Sequence, residues 1–179
     1  MLRRRIAILG LAASVVVLAA CSSTAEPSPT GAPPSPAAVA TTAVDKTEAA
    51  TALDAGAIMK KLSAAGLGLT AAAEQNEDTD PNDLLGRPNG YTSRASADLP
   101  GGDKSGEKYS VERGLVVEVF ADADGAKRRS DYIQGLQKEN PILGTEWHYF
   151  TGDERGLVRV SGKVKPSLAK KVEAAVSGL

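Results

Sequence analysis

The sequence predicts a single small α+β domain, a mostly antiparallel sheet of about 4–5 strands with helices packed on one face, in the order α-β-β-β-α-β-β-α. Three observations carry this expectation. Short runs rich in β-formers are joined by hairpin-length links, which suit antiparallel pairing. Three longer stretches place apolar residues at helical spacing. Globular composition begins near Asp45 and leaves 135 residues, enough for one core.

In chain order, Ala52 to Ala65 opens the domain. Leu53, Ala57, Ile58, Leu62 and Ala65 fall at helical spacing, Lys60 and Lys61 suit the negative end of the helix dipole, and Gly66 is a stop signal. Leu67 to Ala73 reads as a strand or as more helix, and Thr70 and the glycines favour strand. Five acids crowd residues 74–83. They lack the spacing of an EF-hand calcium loop. A capped turn accounts for more of them, with Asp80 as N-cap, Pro81 at N1, Gly86 as stop, and Leu84 and Leu85 turned inward. Pro88-Asn89-Gly90 is a tight-turn signal, and Tyr91 to Ala97 follows as a strand.

Leu99 to Ser110 reads as a mobile Gly/Lys/Asp loop. Leu115 to Phe120 is the strongest strand, bounded by Gly114 and Asp122. Asp122 or Asp124 caps a helix running to about Lys138, with Ala126, Ile133 and Leu136 on its stripe, Tyr132 alongside, and Asn140-Pro141 ending it. Glu146 to Thr151 and Gly156 to Ser161 flank a hairpin turn. Pro166 opens a last helix that places Leu168, Val172, Ala175 and Val176 on one face.

Composition excludes several function classes. One cysteine provides no internal disulfide framework and no Cys-rich zinc site, and one histidine provides no two-His metal motif. With 21 basic against 22 acidic groups there is no global pull toward nucleic acid, and no basic-aromatic interleaving suggests one. No Gly-rich phosphate loop follows a strand. The expectation is no cofactor, no metal and no nucleic-acid partner.

The front of the chain carries an address. Arg3, Arg4 and Arg5 precede an uncharged run of 15 residues, Ile6 to Ala20. A helix needs about 20 residues to span a bilayer, so this run fits the apolar region of an export signal. It closes on Leu18-Ala19-Ala20-Cys21, which resembles the lipobox of bacterial lipoproteins. That resemblance implies a signal peptide over 1–20, cleavage before Cys21, a diacylglyceryl thioether on Cys21 and an amide-linked acyl chain such as palmitate. Burial of acyl chains contributes about 0.8 kcal/mol per CH₂, and two or three chains anchor stably. The expected location is the extracytoplasmic face of the cell membrane, held by lipid. Loss of Arg3, Arg4 and Arg5 leaves 18 basic against 22 acidic groups, a net charge of −4.

Cys21 and the Ser/Thr/Pro/Ala stretch that follows, residues 21–44, read as a tether. Half of the ten prolines lie there and Glu26 is its only charge, so it has too little apolar surface to offset the entropy of ordering. It is expected to be disordered, and at roughly 3 Å per extended residue it reaches about 70 Å from the bilayer. Residues 45–179 form the expected globular domain.

The string Asp80-Pro81-Asn82-Asp83-Leu84-Leu85-Gly86-Arg87-Pro88-Asn89-Gly90-Tyr91-Thr92-Ser93 resembles a segment of a family of small actinobacterial lipoproteins of unknown function. The resemblance extends to Val117-Glu118-Val119-Phe120, Asp131-Tyr132-Ile133-Gln134, Leu143-Gly144-Thr145-Glu146 and Arg159-Val160-Ser161-Gly162, most of residues 45–179. It implies the same membrane address and brings no chemistry with it.

Chemistry-bearing candidates are few. Arg87 and Tyr91 flank the rigid turn and are the candidate ligand contacts, a charged fork and an aromatic suited to an envelope protein or a carboxylate-bearing cell-wall peptide. His148 is the lone side chain with a near-neutral reference pKa. On the alternating strand pattern it shares a face with Glu146, away from Trp147 and Tyr149. No serine stands in a Gly-x-Ser-x-Gly elbow, so Ser93, Ser96, Ser110 or Ser130 meets His148 only if the fold brings it there. Asp122 and Asp124 read as a helix start, and Lys127, Arg128 and Arg129 as a solvated helix face. The favoured reading is a non-enzymatic binding or envelope-interaction module. The alternative is a small cell-envelope hydrolase using a carboxylate pair or His148 with Glu146.

Because the tether has nothing to pack, a chain beginning at Asp45 should unfold at the same denaturant concentration as one beginning at Cys21. A difference beyond about 1 kcal/mol would show the tether docked on the domain, since changes confined to the surface stay within about 0.5 kcal/mol.

Overall fold

The computed structural model describes residues 54–179. The expected export signal, Cys21, the expected tether and the first residues of the expected opening helix lie outside the described residues. Helix α1 covers Ala55–Ala64, followed by strands β1 (Thr70–Gln75), β2 (Ser93–Asp98) and β3 (Gly114–Val119). Helix α2 (Ala123–Glu139), strands β4 (Glu146–Phe150) and β5 (Gly156–Ser161), and helix α3 (Pro166–Val176) complete the domain. The order is the expected one. The five strands form one antiparallel sheet in the order β1-β2-β3-β5-β4.

Local chemistry explains each boundary. The Asp54 carboxylate accepts from the Ala57 amide at 2.7 Å and caps α1. Ala55, Ile58, Met59 and Leu62 are buried at a spacing of three and four residues, one stripe of a helix. Gly66 stops the chain at φ +70°, a conformation open to glycine at no steric cost. Asp122 caps α2 by accepting from the Gly125 amide at 2.7 Å, and Pro166 stands in the first turn of α3. The β4–β5 turn closes through the Thr151 amide on the Gly156 carbonyl at 2.9 Å.

Strand periodicity sorts side chains onto two faces. Ala95, Ala97, Leu115, Val117, Val119, Val158 and Val160 point to one, where α1 and α3 cover them with Ile58, Leu62, Val172 and Val176. Burial of each large apolar side chain contributes about 1.5–3 kcal/mol. The expectation of helices on one face holds for α1 and α3. Helix α2 instead crosses the opposite face, where its Arg129 and Ser130 reach Glu118 and His148. A smaller apolar cluster there joins Tyr91, Phe120, Ala126 and Leu157.

Three details depart from expectation. The segment after Asp80 is a series of turns without a helix, because Asp83 takes φ +54° and breaks helical geometry. Leu84 and Leu85, expected to be buried, are half-buried against the smaller cluster. The loop after Leu99 is stitched down: Arg113 donates to both Asp98 oxygens at 2.8 Å and to the Lys104 carbonyl, and Lys163 holds Asp103 at 2.7 Å.

The tight turn at 86–90 rests on two glycines for different reasons. Gly86 takes φ +72°. Gly90 has an ordinary φ, but a Cβ there would overlap the Leu84 carbonyl oxygen.

These environments rank substitutions. Leu62→Ala, at a fully buried site, should cost about 2–5 kcal/mol, whereas Leu84→Ala should cost less than about 2 kcal/mol. Gly90→Ala should destabilise, while Gly135→Ala, with open space around an added Cβ in α2, should stabilise by about 0.5–1 kcal/mol. Urea melts of the four variants check the order.

Candidate functional site

The sheet face crossed by α2 is polar at its centre and shut away from solvent. Cross-strand register puts Arg94 opposite Glu118, and Val116 opposite Arg159, whose other neighbour is His148. Glu118 and Arg159 are fully or nearly fully buried. Arg159 lies between two carboxylates. Its Nη1 donates to Glu118 Oε1 at 2.9 Å, while its Nε and Nη2 donate to Glu146 at 2.7 and 2.9 Å. Arg129 of α2 reaches the second Glu118 oxygen at 3.2 Å, and Gln137 of α2 donates to Glu146 at 2.9 Å. These contacts fasten α2 to the sheet.

The charges shift one another's protonation. Burial opposes ionisation of Glu146, but the hydrogen bond with His148 and the contacts with Arg159 outweigh it and bring its pKa down to about 2. Burial likewise works against a charged Arg159, yet Glu118 and Glu146 raise its pKa. The network continues toward β1. Asp80 takes the Tyr91 hydroxyl on both oxygens at 2.5 and 2.6 Å and the backbone amides of Asn82, Leu84 and Leu85. Burial pushes the Asp80 pKa up, and these donors together lower it. Burial and then Asp80 raise that of Tyr91.

Arg94 completes the belt and is its least satisfied member. Nη1 donates to Gln75 at 2.8 Å and Nη2 to the Tyr109 carbonyl at 2.7 Å. Its Nε has no hydrogen-bond partner, and Asp80 Oδ1 lies 3.6 Å away, too far for one. Burial lowers the Arg94 pKa, opposed by nearby Tyr91, Glu118 and Asp80. Ser110 Oγ is also buried without a partner. A buried polar group left unmatched costs about 1–3 kcal/mol, more when charged.

Arg94 and Ser110 line the same cavity, of about 320 Å³. Its floor is the sheet, at Arg94, Arg159 and Glu146. One wall is α2, at Ile133, Leu136 and Gln137, and the other is the loop that carries Glu107 to Glu112. An adjoining hollow of about 300 Å³ shares Val111, Glu112, Leu143 and Glu146 and runs on to Lys163, so the two form one groove. Ile142 and Leu143, exposed at 95% and 56%, make an apolar lip. Small-ligand pockets run from about 300 to 1,000 Å³ and mix apolar walls with a few convergent polar groups.

The candidate contacts Arg87 and Tyr91 fall elsewhere. Arg87 is exposed and bonded to Asp83 at 2.5 Å. Tyr91 is 0% exposed, with its hydroxyl committed to Asp80. The two border a separate cavity of about 220 Å³ beside Asp122 and Arg128. Of the basic run on α2, Lys127 and Arg128 are solvated as expected, but Arg129 turns inward to Glu118. Among the described residues no three His, Cys, Asp or Glu side chains gather as metal ligands, and no helix is long and apolar enough to cross a membrane. Cys21 lies outside the described residues.

His148 and Glu146 do meet, and the fold adds Ser130. Ser130 Oγ lies 2.7 Å from His148 Nδ1, and His148 Nε2 lies 3.2 Å from Glu146 Oε2. With Glu146 ionised, Nε2 must carry the hydrogen, and a neutral ring then accepts from Ser130. The order nucleophile, base, acid is that of a hydrolytic triad, and Ser130 and His148 border a cavity of about 310 Å³. Two features oppose catalysis. Ser130 sits inside α2, where neighbouring backbone amides are spent on helix bonds and leave no oxyanion pair. Glu146 is already neutralised by Arg159.

Arg94, Glu118 and Arg159 escape a motif search because each stands alone in sequence. For Glu118 and Arg159 the signal is a lone charge within a strand otherwise built of small or apolar residues, which requires a partner across the sheet. No protein-family model matches the chain, and neither a curated protein nor a solved structure matches it.

The Glu146 shift sets an acid limit. Its folded value of about 2 lies below the ordinary 4.5, so its stabilisation is present above pH 4.5 and is lost as pH falls toward 2. Asp80, lowered by its donors, acts in the same direction. Urea melts at pH 7, 4.5 and 3 should show declining stability, and Glu146→Gln should be less stable at pH 7 and lose less on acidification. Parallel declines would remove Glu146 from the account.

Proposed function

We propose that this protein is an exported, lipid-anchored binding module of the cell envelope, and that the groove between α2 and the loop carrying Glu107 to Glu112 receives its ligand. The single observation that carries the binding role is a cavity with apolar walls lined by Arg94 and Ser110, two residues that each bury a polar atom, Nε and Oγ, without a hydrogen-bond partner. Native interiors leave few polar groups unmatched, so this end of the cavity favours a ligand that brings hydrogen-bond acceptors. The address rests on Leu18-Ala19-Ala20-Cys21 behind three arginines and on the proline-rich stretch that follows. A tether of that composition lets a small domain search a volume around its anchor. Partners on this reading are the membrane, through lipid on Cys21, and an envelope protein or cell-wall peptide.

A second reading, a small hydrolase, is favoured by one observation, the Ser130–His148–Glu146 line. The absence of an oxyanion pair around Ser130 ranks it below binding.

Two measurements test the proposal. Cys21→Ala should move the protein from the membrane fraction to the soluble fraction or leave the signal uncleaved, and an unmodified mature Cys21 by mass spectrometry would end the lipid-anchor proposal. Amide shifts of the labelled full chain, titrated with a library of small polar fragments, should cluster at Ser110, Leu136 and Leu143. Scattered shifts would sink the groove as a site. Labelling of Ser130 by a fluorophosphonate would put the hydrolase first.

A further inference from the structure

The groove differs in chemistry along its length. Its buried end is lined by Arg94, 2% exposed, and by Ser110; Arg94 Nε and Ser110 Oγ have no hydrogen-bond partner, the nearest carboxylate oxygen to that Nε being Asp80 Oδ1 at 3.6 Å. Its middle is aliphatic, at Val111, Ile133, Leu136 and Leu143. Its rim carries Glu107 and Glu112, both exposed. Among the described residues neither has a cation within 4.0 Å. The cations along the groove have carboxylates within the protein: Arg159 has Glu118 and Glu146, Lys163 has Asp103, and Arg94 has Asp80 at 3.6 Å, beyond hydrogen-bond reach. What is left over is an oxygen acceptor at one end and a cation at the other, separated by apolar surface.

We propose that the ligand is a short peptide bearing a free primary amine, held with a backbone carbonyl on Arg94 and Ser110, its aliphatic stem along Leu136 and Leu143, and its ammonium at Glu107 and Glu112. This rests on the reading of the groove as the ligand site. A peptide supplies the three features in order: a carbonyl oxygen that accepts from a buried guanidinium, methylenes that pack on leucine, and an ammonium that finds carboxylates in solvent. A phosphorylated or strongly acidic ligand fails at the rim by like-charge repulsion. Two sources share this chemistry, a lysine-containing protein segment and a wall stem peptide with a diamino acid.

The test is titration of the labelled full chain, followed by amide shifts, with three probes: amidated Ala-Leu-Lys, the same peptide with an Nε-acetylated lysine, and Ala-γ-D-Glu-Lys-D-Ala. Ala-Leu-Lys should shift Ser110, Leu136 and Leu143 and bind at least about fivefold more tightly than its acetylated form, the scale of one or two solvent-exposed ion pairs. Glu107→Gln/Glu112→Gln, altered only at exposed positions, should erase that preference, and Ser110→Ala should weaken both peptides alike. Tighter binding by the stem peptide identifies the wall as the source, and tighter binding by Ala-Leu-Lys a protein segment. Equal binding of the free and acetylated peptides overturns the amine and leaves the groove as the site. Silence to all three probes where small polar fragments still shift the groove overturns the peptide. Silence to peptides and fragments together overturns the groove as well.

Discussion

The interaction on which the rest depends is the buried pairing of Arg159 with Glu118 and Glu146. It joins the two central strands β3 and β5 to the edge strand β4, and through Arg129 and Gln137 it ties α2 across them. Taking such charges out of water is costly, and a well-packed apolar substitute is often as stable. Breaking one partner is another matter, because it strands a charge inside the protein. The network therefore acts as a register lock: a slip of one residue would put Arg159 among Val117, Leu115 and the helices of the other face.

The groove is a consequence of that lock. Helix α2 is held over β5 and β4, so it does not reach the part of the face around Arg94, which the loop after β2 helps to bury. The loop after β2 approaches from the other side but stops short, fixed by Arg113 on Asp98 and by Lys163 on Asp103. Tyr109 bends through φ +67° to give its carbonyl to Arg94, and the next residue, Ser110, lines the opening. Backbone strain of that kind costs about 1–3 kcal/mol and persists where its surroundings over-determine it. A polar floor, an apolar wall and an acidic rim thus arise from three segments far apart in sequence.

The Ser130–His148–Glu146 line shows how a polar network imitates a catalytic one. Distances alone match a relay, yet the aspects that make a relay productive are missing or spent elsewhere. The carboxylate answers to an arginine, the serine is embedded in a helix, and the amides that would stabilise an oxyanion are already bonded. The same hydrogen bonds do explain why a lone histidine is tolerated on a buried face: both ring nitrogens have partners, so no polar group is left unmatched.

What the sequence determined by itself is local. Hydrophobic spacing places all three helices and four of the five strands within a few residues, and it leaves β1 undecided because Thr70 to Gln75 is mostly exposed and bulged, with no alternation to read. Boundary residues mark Asp122 and Pro166, and the pairing of His148 with Glu146 follows from the two-residue period of a strand, whereas the Asp54 cap is a finding of the structure. The candidate contacts Arg87 and Tyr91 were legible as turn residues, and the structure places the first on a local carboxylate and the second inside. The tertiary structure alone decided which charges meet. Glu118 and Arg159 are 41 residues apart, and Arg94 and Tyr109 belong to different segments. Their partnerships depend on strand order and register, which long-range packing sets and no local pattern encodes. For the same reason α2 lies on the opposite face from α1 and α3: its stripe of Ala126, Ser130 and Ile133 fits a polar sheet face, a preference that appears only once that face has been assembled.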